Sequence, residues 1–298
     1  MSSLFPGFKK VDISVAPDVT IHGLHAGQGP PLLLLHGFPQ THVIWHKVAN
    51  KLTDSHTVVL VDLRGYGVSS KPSSSDEGDH SLYSKSVMAN DCVAVMSQLG
   101  FESFMICGHD RGARVAHKLC VDHPSKVRKA MVLDICPTKV MYESTDATFA
   151  FFYWHWFFLT QPAPFPEQII TASPDVVAKK CLGGHGNDVF AEQAREEYVK
   201  QFRDYESVHA MCEDYRASMQ EDIAEQKADE QAGKKVTCPM RVIWGKKGVV
   251  EAKFDALKEW RLQCEHVDPG SCALDCGHFI PEEEPEMLLK HIKDFFQQ

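Results

Sequence analysis

Phe104-Met105-Ile106-Cys107-Gly108-His109-Asp110-Arg111-Gly112 runs directly into a helical pattern from Ala113 to His123. An apolar run followed by a glycine-flanked pentapeptide and then a helix reads as a strand that turns sharply into a helix. The glycines at two residues either side of Asp110 suit a turn with no room for larger side chains. Such a turn pushes its central side chain out above a sheet. A serine there needs a base to activate it, whereas a carboxylate with an ordinary pKa of about 3.9 is already charged at neutral pH. An aspartate at the apex therefore points to displacement at saturated carbon. The plain alternative is a solvated Asp in a glycine-rich turn, so the rest of the chain has to decide.

Working outward, the segment from Val11 to Gln28 alternates and turns at Pro17-Asp18 like a hairpin. Pro31-Leu32-Leu33-Leu34-Leu35 follows, a wholly apolar run of the kind found in strands covered on both faces. Similar runs recur at Thr57 to Val61, Ala130 to Leu133 and Met240 to Trp244, with helix-like segments such as Ser84 to Leu99 between them. This alternation predicts an α/β fold with a mostly parallel central sheet and helices on both faces. The stretch 139–235 breaks the rhythm: it is helical in pattern, aromatic at first and then strongly charged. It is expected to be an inserted helical cap, leaving 1–138 and 236–298 as the core.

With 298 residues the chain is long enough for one large core with an insertion. A net charge of -9 and no Lys/Arg cluster disfavour a nucleic-acid or anionic-membrane binder. An anionic substrate would then need a local positive site. Ten cysteines without a CxxC pair, and an amino terminus that mixes Lys9, Lys10 and Asp12 into its apolar residues, fit a reduced cytoplasmic protein. Cys272, Cys276 and His278 match no zinc spacing, so no metal is expected. The run Ala147 to Leu159 is too short to span a bilayer.

Three features fall in the order that a nucleophile, acid and histidine arrangement requires. Leu35-His36-Gly37-Phe38-Pro39 follows a buried strand and can present the backbone N–H of Phe38, paired with that of Arg111, to a developing oxyanion. Gly277-His278-Phe279 follows the strand-like Ser271 to Asp275 and places a loop histidine where it can act as base. The acid that orients it has two candidates: Asp134, closing the strand Met131-Val132-Leu133, is preferred, with Glu251 second. Asp62, in Asp62-Leu63-Arg64-Gly65-Tyr66-Gly67, reads instead as part of a structural turn. No cofactor is needed, since carboxylate, imidazole and water complete a cycle of ester formation and hydrolysis.

Arg111 and Arg114 are three residues apart at the start of the helix after Asp110 and share one face. A buried, unpaired guanidinium is costly, so the pair is expected to await a substrate carboxylate. An ordinary surface salt bridge is the alternative for Arg114. Phe151-Phe152-Tyr153-Trp154-His155-Trp156-Phe157-Phe158 is too aromatic for a surface; as a pattern it fits a packed core helix, but it also offers ring N–H donors among apolar walls.

Together, Gly108 to Arg114, Tyr153-Trp154-His155-Trp156, Glu213-Asp214-Tyr215-Arg216 and Gly277-His278-Phe279 resemble the fluoroacetate dehalogenases of the α/β-hydrolase superfamily, over nearly the whole chain. The resemblance implies an α/β-hydrolase fold and hydrolysis of a haloacetate to glycolate and halide. It also implies Asp110 as nucleophile, His278 as base and Asp134 as its partner, with Arg111 and Arg114 on the substrate carboxylate. His155, Trp156 and Tyr215 would donate to the departing halide, and a homodimer is the expected assembly. One position departs from the pattern. In Leu182-Gly183-Gly184-His185-Gly186, those enzymes usually carry tryptophan where His185 stands, so this pocket wall is smaller and more polar, and the choice among haloacids stays open. Two other readings remain: an epoxide hydrolase using Tyr153 and Tyr215 on the same nucleophile, and a non-catalytic receptor for a small acid.

Overall fold

A computed structural model describes residues 4–74, 78–186 and 188–297. Eight strands form one sheet: β1 (Lys9–Ala16), β2 (Val19–Ala26), β3 (Pro31–Leu35), β4 (Thr57–Val61), β5 (Phe104–His109), β6 (Val127–Leu133), β7 (Met240–Gly245) and β8 (Cys272–Leu274). Their order is β1-β2-β4-β3-β5-β6-β7-β8. The first two pair as an antiparallel hairpin and β2 meets β4 antiparallel, whereas every neighbour from β4 across to β8 is parallel.

The uniformly apolar strands follow from two buried faces. Leu33, Leu35, Val59, Val61 and Ile106 belong to one core cluster, while Leu32, Leu34, Val58, Leu60, Met105 and Cys107 belong to another. Alternate side chains of these strands thus enter opposite layers, so both faces are lined mainly by apolar residues. On the first face α1 (Lys85–Gln98) packs against α2 (Arg111–Asp122). The Ser84 hydroxyl caps α1 by accepting from the Val87 N–H at 3.3 Å, satisfying one of its free first-turn donors.

Between β6 and β7 the chain makes a helical excursion from Thr138–Glu143 to Ile223–Gln231. Its residues share a cavity with the carboxyl ends of β5 and β6, so it lies over that edge of the sheet. Among the described residues no helix is long and apolar enough to cross a membrane.

Candidate active site

β5 lies between β3 and β6, and Asp110 is the first residue beyond it. The ladder continues one step past each strand: Asp110 N–H donates to Leu133 O at 3.2 Å and Asp134 N–H to Ile243 O at 2.8 Å. Both acids then leave the sheet in conformations L residues seldom adopt, φ 47° for Asp110 and φ 53° for Asp134. The strain is sustained because there is no space for another path. A Cβ at Gly112 would stand 2.3 Å from His36 O and 2.7 Å from the Leu35 carbonyl carbon. Helix α2 therefore starts directly against β3, and the chain can reach it only through a sharp bend at Asp110.

Around Asp110 the geometry is specific. Its Oδ2 accepts from the Phe38 backbone N–H at 3.0 Å. The loop carrying that donor is pressed onto the carboxylate, since a Cβ at Gly37 would be 2.5 Å from Asp110 Cβ. Arg111 N–H belongs to the first turn of α2 and is free of the helix's own ladder. Burial pushes the Asp110 carboxyl up, but the positive groups around it, His278 foremost and then Arg114 and Arg111 among others, outweigh this and hold it below the ordinary carboxylate value.

His278 reaches this point from the loop after β8. Its Nδ1 donates to Asp134 Oδ2 at 2.6 Å, and Asp134 Oδ1 accepts from Gly245 N–H at 2.8 Å. Glu251, the other candidate, is bonded instead to Trp244 Nε1 at 2.5 Å. Burial works against a charge on His278, yet the bond to Asp134 and the charges of Asp134 and Asp110 raise its pKa above the ordinary value. Asp62 does not join the site; it accepts from His42 N–H and Nδ1 and from Val68 N–H at 2.7–3.0 Å.

A buried histidine absent from the sequence-level assignment holds the loop from beneath. His109 Nε2–H donates to the His278 carbonyl at 2.8 Å, with the two rings 4.7 Å apart. Burial presses its pKa down to about 3, so it is neutral, and that bond leaves Nδ1 as the bare nitrogen. Its signal in the sequence was simply its place beside Asp110.

The arginines differ from expectation. Arg111 is not unpaired: Nε and Nη2 grip the Asp214 carboxylate at 2.9 and 2.6 Å, Nη2 also reaches Ser218 Oγ, and the guanidinium lies 4.3 Å over the Tyr215 ring. Only Nη1 lacks a partner among the described residues. Asp214 was visible in the Glu213-Asp214-Tyr215-Arg216 motif, but nothing in the spacing linked it to a residue a hundred positions away. Arg114 is the cation without a carboxylate. It is buried, bonds Thr138 Oγ1 at 2.9 Å and Cys136 O at 3.2 Å, and lies 4.8 Å over the Trp156 ring, with Nε unpartnered. The surface salt bridge considered for it is absent.

Opposite the carboxylate, the helix Trp154–Leu159 and the helix Tyr205–Ala217 bring His155, Trp156 and Tyr215 together. His155 stacks on Phe38 at 5.6 Å and meets Tyr215 edge-on at 5.8 Å; Trp156 and Tyr215 are 6.3 Å apart. Burial pushes His155 down to about 3 and keeps the Tyr215 phenol protonated. Trp156 Nε1 and Tyr215 OH, in wholly buried side chains, have no partner among the described residues, and neither does the OH of Tyr142, whose ring packs 4.8 Å from Trp156. Each such orphan costs about 1–3 kcal/mol until something accepts from it.

Above lies a cavity of about 550 Å³ with Asp110 and His278 at its floor and His185 in its wall, edge-on to Phe190 and Phe279. Arg111, Arg114, Trp156 and Tyr215 are set deeper and do not line it. The aromatic run is not wholly interior either: Phe151 and Phe152 are 72% and 58% exposed at the cavity's rim.

With this geometry in view, the α/β hydrolase fold family matches residues 30–285 of the chain. A fluoroacetate dehalogenase from Burkholderia sp is 42% identical over 295 residues, 98% of this chain and 95% of that protein. A soluble epoxide hydrolase from Corynebacterium sp. (strain C12) is 30% identical, covering 93% of each. Among solved structures, an α/β hydrolase from Nostoc sp PCC 7120 superimposes with a TM-score of 0.93 at 46% identity, over 98% of both chains.

Proposed function

Because this chain belongs to the α/β-hydrolase family and is similar along its length to a fluoroacetate dehalogenase, we propose that it removes halide hydrolytically from haloacetates, fluoroacetate foremost. The observation that carries this reading is the set of buried donors, Trp156 Nε1 and Tyr215 OH beside His155, left without acceptors across from a charged carboxylate. A halide leaving the substrate carbon supplies the acceptor they lack. Fluoride, with its compact charge, gains most from fixed donors in a site without water.

In the first step the Asp110 oxygen not held by Phe38 attacks the halogen-bearing carbon. The halide departs with the bonding pair, and an ester links a carboxymethyl group to Asp110. Below the cavity floor, the unpartnered Arg111 Nη1 and Arg114 Nε are left to receive the substrate carboxylate. In the second step His278, oriented by Asp134, takes a proton from water, and the hydroxide attacks the Asp110 carbonyl carbon. Oδ2, already on the Phe38 N–H, carries the negative charge of the tetrahedral intermediate, with Arg111 N–H as second donor. Collapse breaks the acyl–oxygen bond and glycolate takes the proton back from His278; the Asp110 carboxyl, now carrying one oxygen and the second proton of the water, loses that proton to solvent and returns as a carboxylate.

His278→Asn is expected to stop after the first step, leaving one carboxymethyl group on the peptide that holds Asp110. A single wild-type turnover in ¹⁸O water should label the Asp110 carboxylate before glycolate. Label found first in glycolate, with the enzyme unmarked, would remove the covalent step. The Corynebacterium relative and Tyr153, which lines the cavity while Tyr215 OH stays unpartnered, favour epoxide opening as the second reading. Turnover of styrene oxide with chloroacetate untouched would reverse the order.

A further inference from the structure

A haloacetate anion has to approach a floor that already holds Asp110 and Asp134, in a protein whose net charge is -9. Among the described residues, the only other Asp, Glu, Lys or Arg side chains lining the cavity are Lys180, Lys247 and Lys253. The three are not equivalent. Lys253 is mostly buried and ion-paired with Asp146. Lys247, 63% exposed, bridges to Asp275 at 3.2 Å, and such exposed pairs hold their charge loosely. Lys180, at the end of the helix Pro174–Cys181, is exposed and has no acidic partner among the described residues.

We propose that Lys180 is a specificity-determining residue that draws anionic substrates into the cavity, with Lys247 in support. This rests on the haloacetate reading. The physical basis is a lone, unneutralised positive charge at the rim of a low-dielectric hollow, which raises the local concentration of small anions against the field of the whole molecule. It acts on encounter and ground-state binding, not on the bond-breaking steps, so it belongs to KM and leaves kcat alone. At roughly 10 Å and a solvent-like dielectric, one charge changes an anion's local concentration by about two- to fourfold. Near 1 M salt the screening length shrinks to about 3 Å, and the contribution vanishes.

The test measures chloride release from chloroacetate by the wild type and by Lys180→Gln, Lys180→Glu and Lys180→Arg, at ionic strengths of about 0.02 M and about 0.5 M. At low salt, KM should rise about two- to fourfold in Lys180→Gln, by roughly the square of that factor in Lys180→Glu, and stay unchanged in Lys180→Arg, with kcat common to all four. At high salt the four KM values should converge. Equal KM values at low salt, or differences that persist undiminished at high salt, would overturn the steering role while leaving the dehalogenase reading intact. A wild type that liberates neither chloride from chloroacetate nor fluoride from fluoroacetate at either salt would overturn both.

Discussion

At the residue scale, the pairing of Asp110 with His278 sets the timing of the proposed cycle. The Asp110 charge is one of the influences that raise the His278 pKa in the free protein. Once that carboxylate is esterified its charge is gone and the influence disappears. The imidazole becomes easier to deprotonate at the moment a base is required. Two consequences follow with definite sign. By NMR titration, His278 should have a lower pKa in Asp110→Asn than in the wild type; an unchanged value would separate the two groups electrostatically. In the wild type, acid protonates the base and stalls ester hydrolysis, so covalent enzyme should accumulate as pH falls below the lowered His278 pKa of the esterified enzyme, read by rapid quench and mass spectrometry. Much at this scale was legible from the sequence. Asp110, His278 and Asp134 announce themselves by following apolar strands, because a strand end fixes where a side chain emerges. His109 did not, since its bond to the His278 carbonyl joins the end of β5 to a loop 169 residues away.

At the scale of elements, the junction of β3, β5 and α2 determines whether the Phe38 N–H, the proposed oxyanion donor, reaches the Asp110 carboxylate. Gly37→Ala would drive a methyl into Asp110 Cβ at 2.5 Å and Oδ2 at 2.8 Å, separating the Phe38 N–H from the carboxylate. We expect kcat to fall by roughly 10²–10³-fold, the usual loss of one oxyanion donor, with the fold retained by circular dichroism. A variant with near-normal kcat would mean that Phe38 N–H is dispensable. The strands were readable because β3 to β7 are covered on both faces along most of their length and so are mainly apolar, with Arg128 and Lys129 of β6 and Arg241 of β7 as the charged exceptions. The helical excursion was readable only as helical. Which of its aromatic residues point inward is decided by packing against α2 and the β3 loop, and Phe151 and Phe152 turn out at the rim instead of in the interior.

Across the whole molecule, one carboxylate ties distant segments together. Asp214, wholly buried, accepts from Arg111 on α2, from Lys85 at the head of α1 and from Tyr66 OH at 2.6 Å. Burial alone would lift its pKa, but Arg111 and Lys85 outweigh that and hold it far below the carboxylate range. Asp214→Asn strips the buried Arg111 of its carboxylate and leaves Lys85 with the Asp222 carboxylate alone, at 3.3 Å, so a loss of about 3–5 kcal/mol is expected in urea unfolding, well beyond that of a surface Asp. A change under about 1 kcal/mol would show that Lys85 and Arg111 find other partners. Sequence alone could not reveal this hub, because nothing in the order of residues says that positions 66, 85, 111 and 214 meet.

In the proposed cycle, the groups that make and break the covalent link stand on the loops after β3, β5, β6 and β8, whereas those that would greet the departing atom arrive on a separate stretch of chain inserted after β6. Under that arrangement a change of leaving group falls on the inserted stretch, and the strand-end machinery that handles the intermediate can stay as it is.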